Sequence, residues 1–249
     1  MLPLSAAVLD RYVAGESFRE APAVVEALAA EGIDTTVDHL TATPQDETQA
    51  IAAVQAYRML LDRIGDAGLG DRAEVSVDPV AIGLLLPEGE KLAVENARKI
   101  CRAAHSAGTS LTLAMRDHTT VDATLAVAQA LRHDFPATGI TLQARLHRTE
   151  SDCRALAYAG SRVRICKGEE DAPAEVAFTD PGDVDRSYVR CMKVLLGGDG
   201  YPMLATHDPR LIEIAGALAS RYGRAPGTYE YQAAPRRAAR RAAPPGRRR

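Results

Sequence analysis

The chain has no run of about 18 consecutive apolar residues, the minimum for a helix that spans a bilayer, so it is not expected to cross a membrane. Its amino terminus, Met1-Leu-Pro-Leu4, places no basic residue ahead of its apolar stretch, which argues against a secretory signal. None of the four cysteines (Cys101, Cys153, Cys166, Cys191) stands in a C-x-x-C pair. That spacing offers neither a disulfide framework nor a thiolate metal site. Free buried thiols in a reducing cytoplasm are therefore expected, with no metal. Basic charge is also scarce where nucleic acid would need it. The formal net charge is −3 over 249 residues, yet residues 233–249 hold seven arginines and no acid, and setting those seven aside leaves −10 on residues 1–232. An acidic body lacks the basic face of a nucleic-acid binder, and no specific nucleic-acid partner is expected.

What the chain does have is a 46% hydrophobic composition, enough at this length for one substantial core. Its apolar residues alternate between two periodicities. β-Rich runs recur at Thr35–Leu40, Ala73–Val77, Ser110–Met115, Gly139–Ala144, Arg162–Lys167 and Met203–His207, with Gly227–Gln232 as a seventh. Helical patterns lie between them at Thr48–Gly65, Leu92–Ala107, Val121–His133, Asp183–Leu196 and Pro209–Tyr222. Ile51, Val54, Tyr57, Leu60, Leu61 and Ile64 form one helical face, and Asp208-Pro209 supplies an N-cap and a proline at the first helical position. Strand–helix alternation implies parallel strands joined by helical crossovers. The expected fold is α/β, a (β/α)₈ TIM-type barrel, distorted or incomplete at its C-terminal end. One or two extra helices are expected over Leu4–Ala30.

After Gln232 the pattern stops, which predicts two regions: a barrel over residues 1–232 and an Arg/Ala/Pro-rich tail over 233–249. The tail is low in complexity, without apolar periodicity, and is expected to be disordered in isolation. Such a tail suits RNA or an anionic membrane, or it is an unselected sequence of the kind a shifted reading frame produces. Seven strands then leave an eighth strand and its helix absent or replaced.

Three strands end in groups able to hold a ligand: Gly139-Ile-Thr-Leu-Gln-Ala-Arg-Leu-His-Arg148, Arg162-Val-Arg-Ile-Cys-Lys-Gly168 and Pro202-Met-Leu-Ala-Thr-His-Asp208. Strand C-termini are where barrel enzymes place their chemistry. Arg164 and Lys167 are three apart on one strand, where parity puts side chains on opposite faces until the strand ends, so Lys167 is expected to gain its direction from the turn at Gly168. Glycine there admits close approach of backbone to a ligand. Two cations at a strand end suit an anionic or electron-accepting group; equally, Arg164 could pair with an acid of a neighbouring helix. Gln143, an amide in a buried strand, either contacts a ligand or ties to neighbouring backbone. His207, beside Thr206, is a stronger ligand candidate than an isolated histidine, being at a strand end. Asp117-His118-Thr119-Thr120 reads as a loop and helix cap or as part of the site, and Asp38-His39 carries a weaker signal.

These segments, with Glu74-Val-Ser-Val77 and Asp117-His-Thr-Thr120, resemble proline dehydrogenase, the flavoenzyme family of proline catabolism. So do Asp185-Arg-Ser-Tyr-Val-Arg-Cys-Met-Lys193, Gly200 through Ile214, and Arg221-Tyr-Gly-Arg-Ala-Pro-Gly-Thr-Tyr-Glu-Tyr-Gln232, which are similar to monofunctional actinobacterial-type members. The resemblance runs from about Asp10 to Gln232. It implies FAD as cofactor, L-proline as substrate, a quinone as electron acceptor and a cytoplasmic protein making transient contact with the inner membrane face. It further implies that Arg164 and Lys167 are catalytic, Arg164 stabilising charge on the reduced flavin. Gln143, Arg164, Lys167, Gly168, Thr206 and His207 would hold the cofactor.

The substrate shell departs from that pattern. Asp78 stands where the family usually has a lysine facing the proline carboxylate. Ala114-Met115-Arg116 stands where Asp-Met-Glu is usual, and Arg145 replaces a tyrosine. Glu169-Glu170 follow Gly168 where Ala-Tyr is expected, and the family's last helix, with its arginine pair for the carboxylate, has no counterpart. Asp78, Glu169 and Glu170 together predict negative potential where a carboxylate would bind. Two functions follow as expectations: oxidation of L-proline to 1-pyrroline-5-carboxylate, or a catalytically impaired flavin-binding relic of the family.

Overall fold

The protein, seen in a computed structural model that describes residues 20–168 and 172–233, alternates strand and helix almost without interruption. Helix α1 (Ala21–Ala30) leads into β1 (Thr35–Asp38). There follow α2 (Glu47–Asp66), β2 (Ala73–Val77), α3 (Gly89–Ser106), β3 (Leu111–Leu113), α4 (Val121–Arg132), β4 (Gly139–Gln143) and α5 (Thr149–Leu156). The chain continues with β5 (Arg162–Cys166), α6 (Pro181–Gly197), β6 (Tyr201–Ala205), α7 (Pro209–Arg221) and β7 (Glu230–Gln232). The expected strands and helices are all present; β2 matches its expected bounds, β6 keeps its expected length but begins and ends two residues earlier, and the other strands are one to three residues shorter at one or both ends. Helix α5 was not foreseen: of its eight residues only Thr149 and Cys153 are buried, which leaves no periodic signal to read.

All seven strands are parallel and ordered as in sequence, β1 to β7. The sheet curls. β2 and β5 are three strand spacings apart, roughly 14 Å in a flat sheet, yet Arg164 on β5 lies 3.2 Å from the Ser76 hydroxyl on β2. Only a curled sheet brings those side chains into reach across an interior. Among the described residues β1 and β7 do not pair with each other, so the strands form a half-barrel with a gap. The expectation of a (β/α)₈-type barrel incomplete at its C-terminal end holds in this form. Of the helices expected over Leu4–Ala30, α1 is seen; residues 1–19 and the tail from 234 lie outside the described residues.

The core lies between strands and helices. Val75, Val77, Leu113, Ile140, Leu142, Val163, Ile165 and Leu204 turn outward and join one apolar cluster with helix residues such as Val54, Leu61, Ile100, Leu131, Tyr188 and Leu211. Side-chain caps fix where helices begin: Asp46 accepts from Gln49 N, Asp180 from Asp183 N and Asp208 from Arg210 N. Pro181 and Pro209 follow their caps directly, where a missing N–H costs nothing.

Candidate active site

The inward face of the same strands is polar. Arg164 Nη2 lies 3.3 Å from Glu74 Oε1, while Nη1 reaches Ser76 Oγ at 3.2 Å and Thr141 Oγ1 at 3.5 Å. Arg162, one turn of the pleat below, pairs with the other Glu74 oxygen and lies over the Tyr201 ring at 4.9 Å. Glu74 and Arg164 side chains are each 11% exposed. Arg164 therefore pairs with an acid, but across the half-barrel rather than on a neighbouring helix. Two arginines on one carboxylate leave a net positive charge in this part of the lumen. The Nε atoms of Arg162 and Arg164 are buried without an acceptor.

The strand ends bring several predicted residues to one edge. Register sets Gln143 opposite Cys166, and Arg164 two pairs deeper on the same face, opposite Thr141 and Met203. Gln143 Nε2 donates to the carbonyls of Met115 (3.2 Å) and Arg116 (3.1 Å), the tie to neighbouring backbone that an amide in a buried strand permits. Lys167 keeps strand parity and is not redirected by the turn. Its ammonium lies 2.5 Å from Asp185 of α6 and 3.4 Å from Asp208, on the side opposite Arg164. Gly168 has φ +93°, and a Cβ there would meet Arg145 and Gln143 side chains at 3.1 Å. That is a position for glycine on both counts. The Thr206 hydroxyl accepts from Asp208 N at 3.1 Å, and half-buried His207 follows it.

The substrate-shell residues hold a surprise in charge. Asp78 is not bare: Arg116 donates to its Oδ2 through Nε at 2.7 Å and through Nη2, while Val80 N donates to Oδ1 at 2.9 Å. The two departures from the family pattern at Asp78 and Arg116 thus compensate each other, and the expected negative potential is weaker than Asp78 alone implies. Ala114, two residues before Arg116, donates its N–H to Val77 O at 2.8 Å, and half-buried Arg145 lies against Gly168. Glu169 and Glu170 lie outside the described residues. Asp38, at the end of β1, accepts from the Tyr57 hydroxyl at 3.0 Å. Its carboxylate is open to solvent at the gap but crowded by protein elsewhere, and desolvation followed by the neighbouring Asp78 charge raises its pKa, with Tyr57 and Arg164 opposing. The Asp117 carboxylate caps the next turn through Thr119 N (2.8 Å) and Thr120 N (3.2 Å), the loop-and-cap reading of that motif. Arg116 and Tyr57 carry roles the sequence did not disclose; the former needed the contact across strand ends, the latter a helix residue reaching under β1.

A cofactor that brings hydrogen-bond acceptors fits this lumen. The two acceptor-less Nε atoms and the net positive charge are what a flavin's carbonyls and phosphates would require. A surface groove of about 720 Å³ at the start of α3, lined by Glu88, Lys91, Glu95 and Arg98, touches none of these residues.

Comparison with known proteins gives the same direction. The proline dehydrogenase family model matches residues 21–234. Proline dehydrogenase of Deinococcus radiodurans is 32% identical over 225 residues, covering 90% of this chain and 72% of that relative. Proline dehydrogenase 1 of Bacillus subtilis is 27% identical over 222 residues, covering 89% and 72%. Among solved structures, proline utilization A (PutA) from Bdellovibrio bacteriovorus, inactivated by N-propargylglycine, aligns with a TM-score of 0.82 at 22% identity. The alignment covers 90% of this chain and 28% of the PutA chain, and it bears on fold alone.

Proposed function

This chain belongs to the proline dehydrogenase family, and from that premise we propose that it is an FAD-dependent enzyme that oxidises L-proline to 1-pyrroline-5-carboxylate and passes the electrons to a quinone. The observation that carries this reading is the cationic lumen: Arg164 fixed by Glu74, Ser76 and Thr141 with an Nε donor left over. When bound, FAD supplies the acceptor for the two electrons that proline gives up. Arg164 offers a positive charge whose position does not depend on the ligand, so no reorganisation is needed when negative charge develops beside it. Gln143 holds the Met115–Arg116 backbone, Gly168 lets the chain turn closely beneath the Arg145 and Gln143 side chains, and Thr206 and His207 complete the edge. Lys167, tied to Asp185 and Asp208, contributes charge and rigidity from the outer side. Residues 1–232 act as the catalytic region, with 233–249 as an appended tail. In this reading the protein works in the cytoplasm and makes transient contact with the membrane face to reach a quinone dissolved in lipid. No helix of the described residues is long and apolar enough to cross a membrane.

A second reading, an impaired flavin-binding relic, draws on the altered residues Asp78, Ala114, Arg145, Glu169 and Glu170 and on the gap between β1 and β7 among the described residues. Purification and one titration separate the two. A yellow protein bleached by L-proline without oxygen, and recoloured by a soluble quinone, supports the enzyme. A yellow protein that proline does not bleach supports the relic, and a colourless protein that takes up no added FAD removes both.

A further inference from the structure

Arg116 spends only part of its guanidinium on Asp78. Nε and Nη2 both converge on Oδ2 of that carboxylate, and Nη1 has no acceptor among the described residues. Asp78 in turn is fully occupied, with Arg116 on one oxygen and Val80 N on the other. The pair is therefore asymmetric: the acid is satisfied, and the base retains a donor edge and a share of its charge. Strand parity puts it on the lumen side, since Ser76 and Thr112 are register partners facing inward and Asp78 and Arg116 extend those two rows. The side chains are 17% and 34% exposed, so Arg116 is the more accessible of the two to a ligand entering from solvent.

Its position is also fixed before any ligand arrives. Gln143 holds the Arg116 carbonyl at 3.1 Å, and Ala114 N prolongs the β2–β3 ladder to Val77 O at 2.8 Å. On the other side, the Asp117 carboxylate is bound into its own turn by Thr119 and Thr120. Ala114, the preceding residue on that row, ends at a methyl group and leaves room beside the guanidinium. Arginine offers two parallel donors in a plane that matches a carboxylate, and preorganisation reduces the entropy lost on binding.

We propose that Arg116 fixes the carboxylate of the substrate, and that Asp78 is the residue that positions Arg116 to do so. The inference deepens the proline-oxidation reading and rests on it for the identity of the carboxylate. Asp78 then acts through Arg116 and does not repel the substrate.

The test uses the flavin-loaded full chain and three ligands by calorimetry: L-proline, cyclopentanecarboxylate, which lacks the nitrogen, and pyrrolidine, which lacks the carboxylate. Arg116→Gln is expected to weaken both carboxylates roughly 10- to 100-fold, the range for a hydrogen bond to a charged group, and to leave pyrrolidine unchanged. Asp78→Asn should weaken the carboxylates less and raise KM more than it lowers kcat. Arg116→Lys keeps the ion pair and decides the matter if the glutamine variant does not fold; a selective several-fold loss for the two carboxylates is expected. Equal changes for all three ligands, no change, or no carboxylate binding by the unmodified chain would overturn the inference. Arg116-dependent binding of cyclopentanecarboxylate without bleaching by proline would instead sink the enzyme reading and leave the carboxylate site standing.

Discussion

The two faces of the same five-residue strands differ more than the strands differ from one another. On β5, Val163 and Ile165 are buried against helices, while Arg162 and Arg164 between them reach into the lumen. On β2, Val75 and Val77 face outward, and Glu74 and Ser76 face in. An ordinary barrel of this type fills its interior with branched apolar side chains in layers. Here the interior is charged, so the hydrophobic stabilisation has to come from the strand–helix interface. The contrast teaches a division of labour: one face holds the fold, the other is free to carry a ligand.

The sharpest way to break that comparison is to cut the outer face. Ile165→Ala removes a side chain with no solvent exposure and leaves a cavity beneath α6. It should cost about 3.5 kcal/mol, near the middle of the range for such truncations, and lower the thermal midpoint by roughly 10 °C for a chain of this size. FAD uptake well below that midpoint should be unchanged. If uptake falls in parallel with stability, the two faces are not separable.

The next largest effect is on the lumen. Glu74→Gln leaves Arg162 and Arg164 facing each other without their shared acid and should cost about 2 kcal/mol, less than a fully buried pair because both arginines keep some solvent. Replacing the whole cluster, Glu74→Leu with Arg162→Met and Arg164→Met, should recover that loss or exceed it while abolishing FAD uptake. A triple variant no more stable than Glu74→Gln would mean that the cluster is kept for the fold.

The outer face was legible in the sequence and the inner one only in part, for the same physical reason. Burial on the helical side imposes periodicity, and Val54 through Ile64 or Val163 and Ile165 show it without any partner in view; Ile51, expected on the same helical face, is instead 42% exposed, and Ala50 and Ala53 extend the buried stripe in its place. Arg164, Lys167 and Gln143 stood out as polar residues in apolar runs, yet what each one touches depends on strands far away in the chain. Glu74 is 88 residues from Arg162 and 90 from Arg164. Arg116 looked like a loss of an acid and Asp78 like a reversed charge; only the curl and register of β2 and β3 join them. Lys167 kept the direction that parity gave it, because Asp185 and Asp208 stand ready on the outer side.

That outer anchor supplies a smaller effect with a pH signature. Asp208 caps α7 and is hydrogen-bonded by Arg210, then by Lys167, which holds its carboxyl well below the usual carboxylate range despite partial desolvation. A depressed folded pKa contributes stability above the unfolded value of about 3.9 and loses it as pH falls below that point. Asp208→Ala should therefore cost about 1 kcal/mol at pH 7, typical of a lost cap. The gap between the two thermal midpoints should narrow steadily as pH is lowered beneath about 4. A constant gap down to pH 2.5 would assign the effect to packing alone.

The smallest effect has the opposite sign and lies on the lumen side. Asp38 is exposed on one side and crowded by protein on the other, and desolvation on the crowded side together with the neighbouring Asp78 charge raises its pKa even though Tyr57 and Arg164 oppose the shift. A carboxyl whose folded pKa lies above its unfolded value is most favourable to folding at low pH, and that contribution is lost as pH rises through the folded pKa. At neutral pH the ionised Asp38 is thus a net burden on the fold. Asp38→Asn keeps an oxygen for the Tyr57 hydroxyl and removes the charge. The variant should melt slightly above the parent at pH 7 and show no such advantage at pH 3. Thermal scans at the two pH values decide it. A variant less stable at pH 7 would mean that Asp38 answers mainly to Arg164, and that the lumen's charges, like its outer face, are set for stability after all.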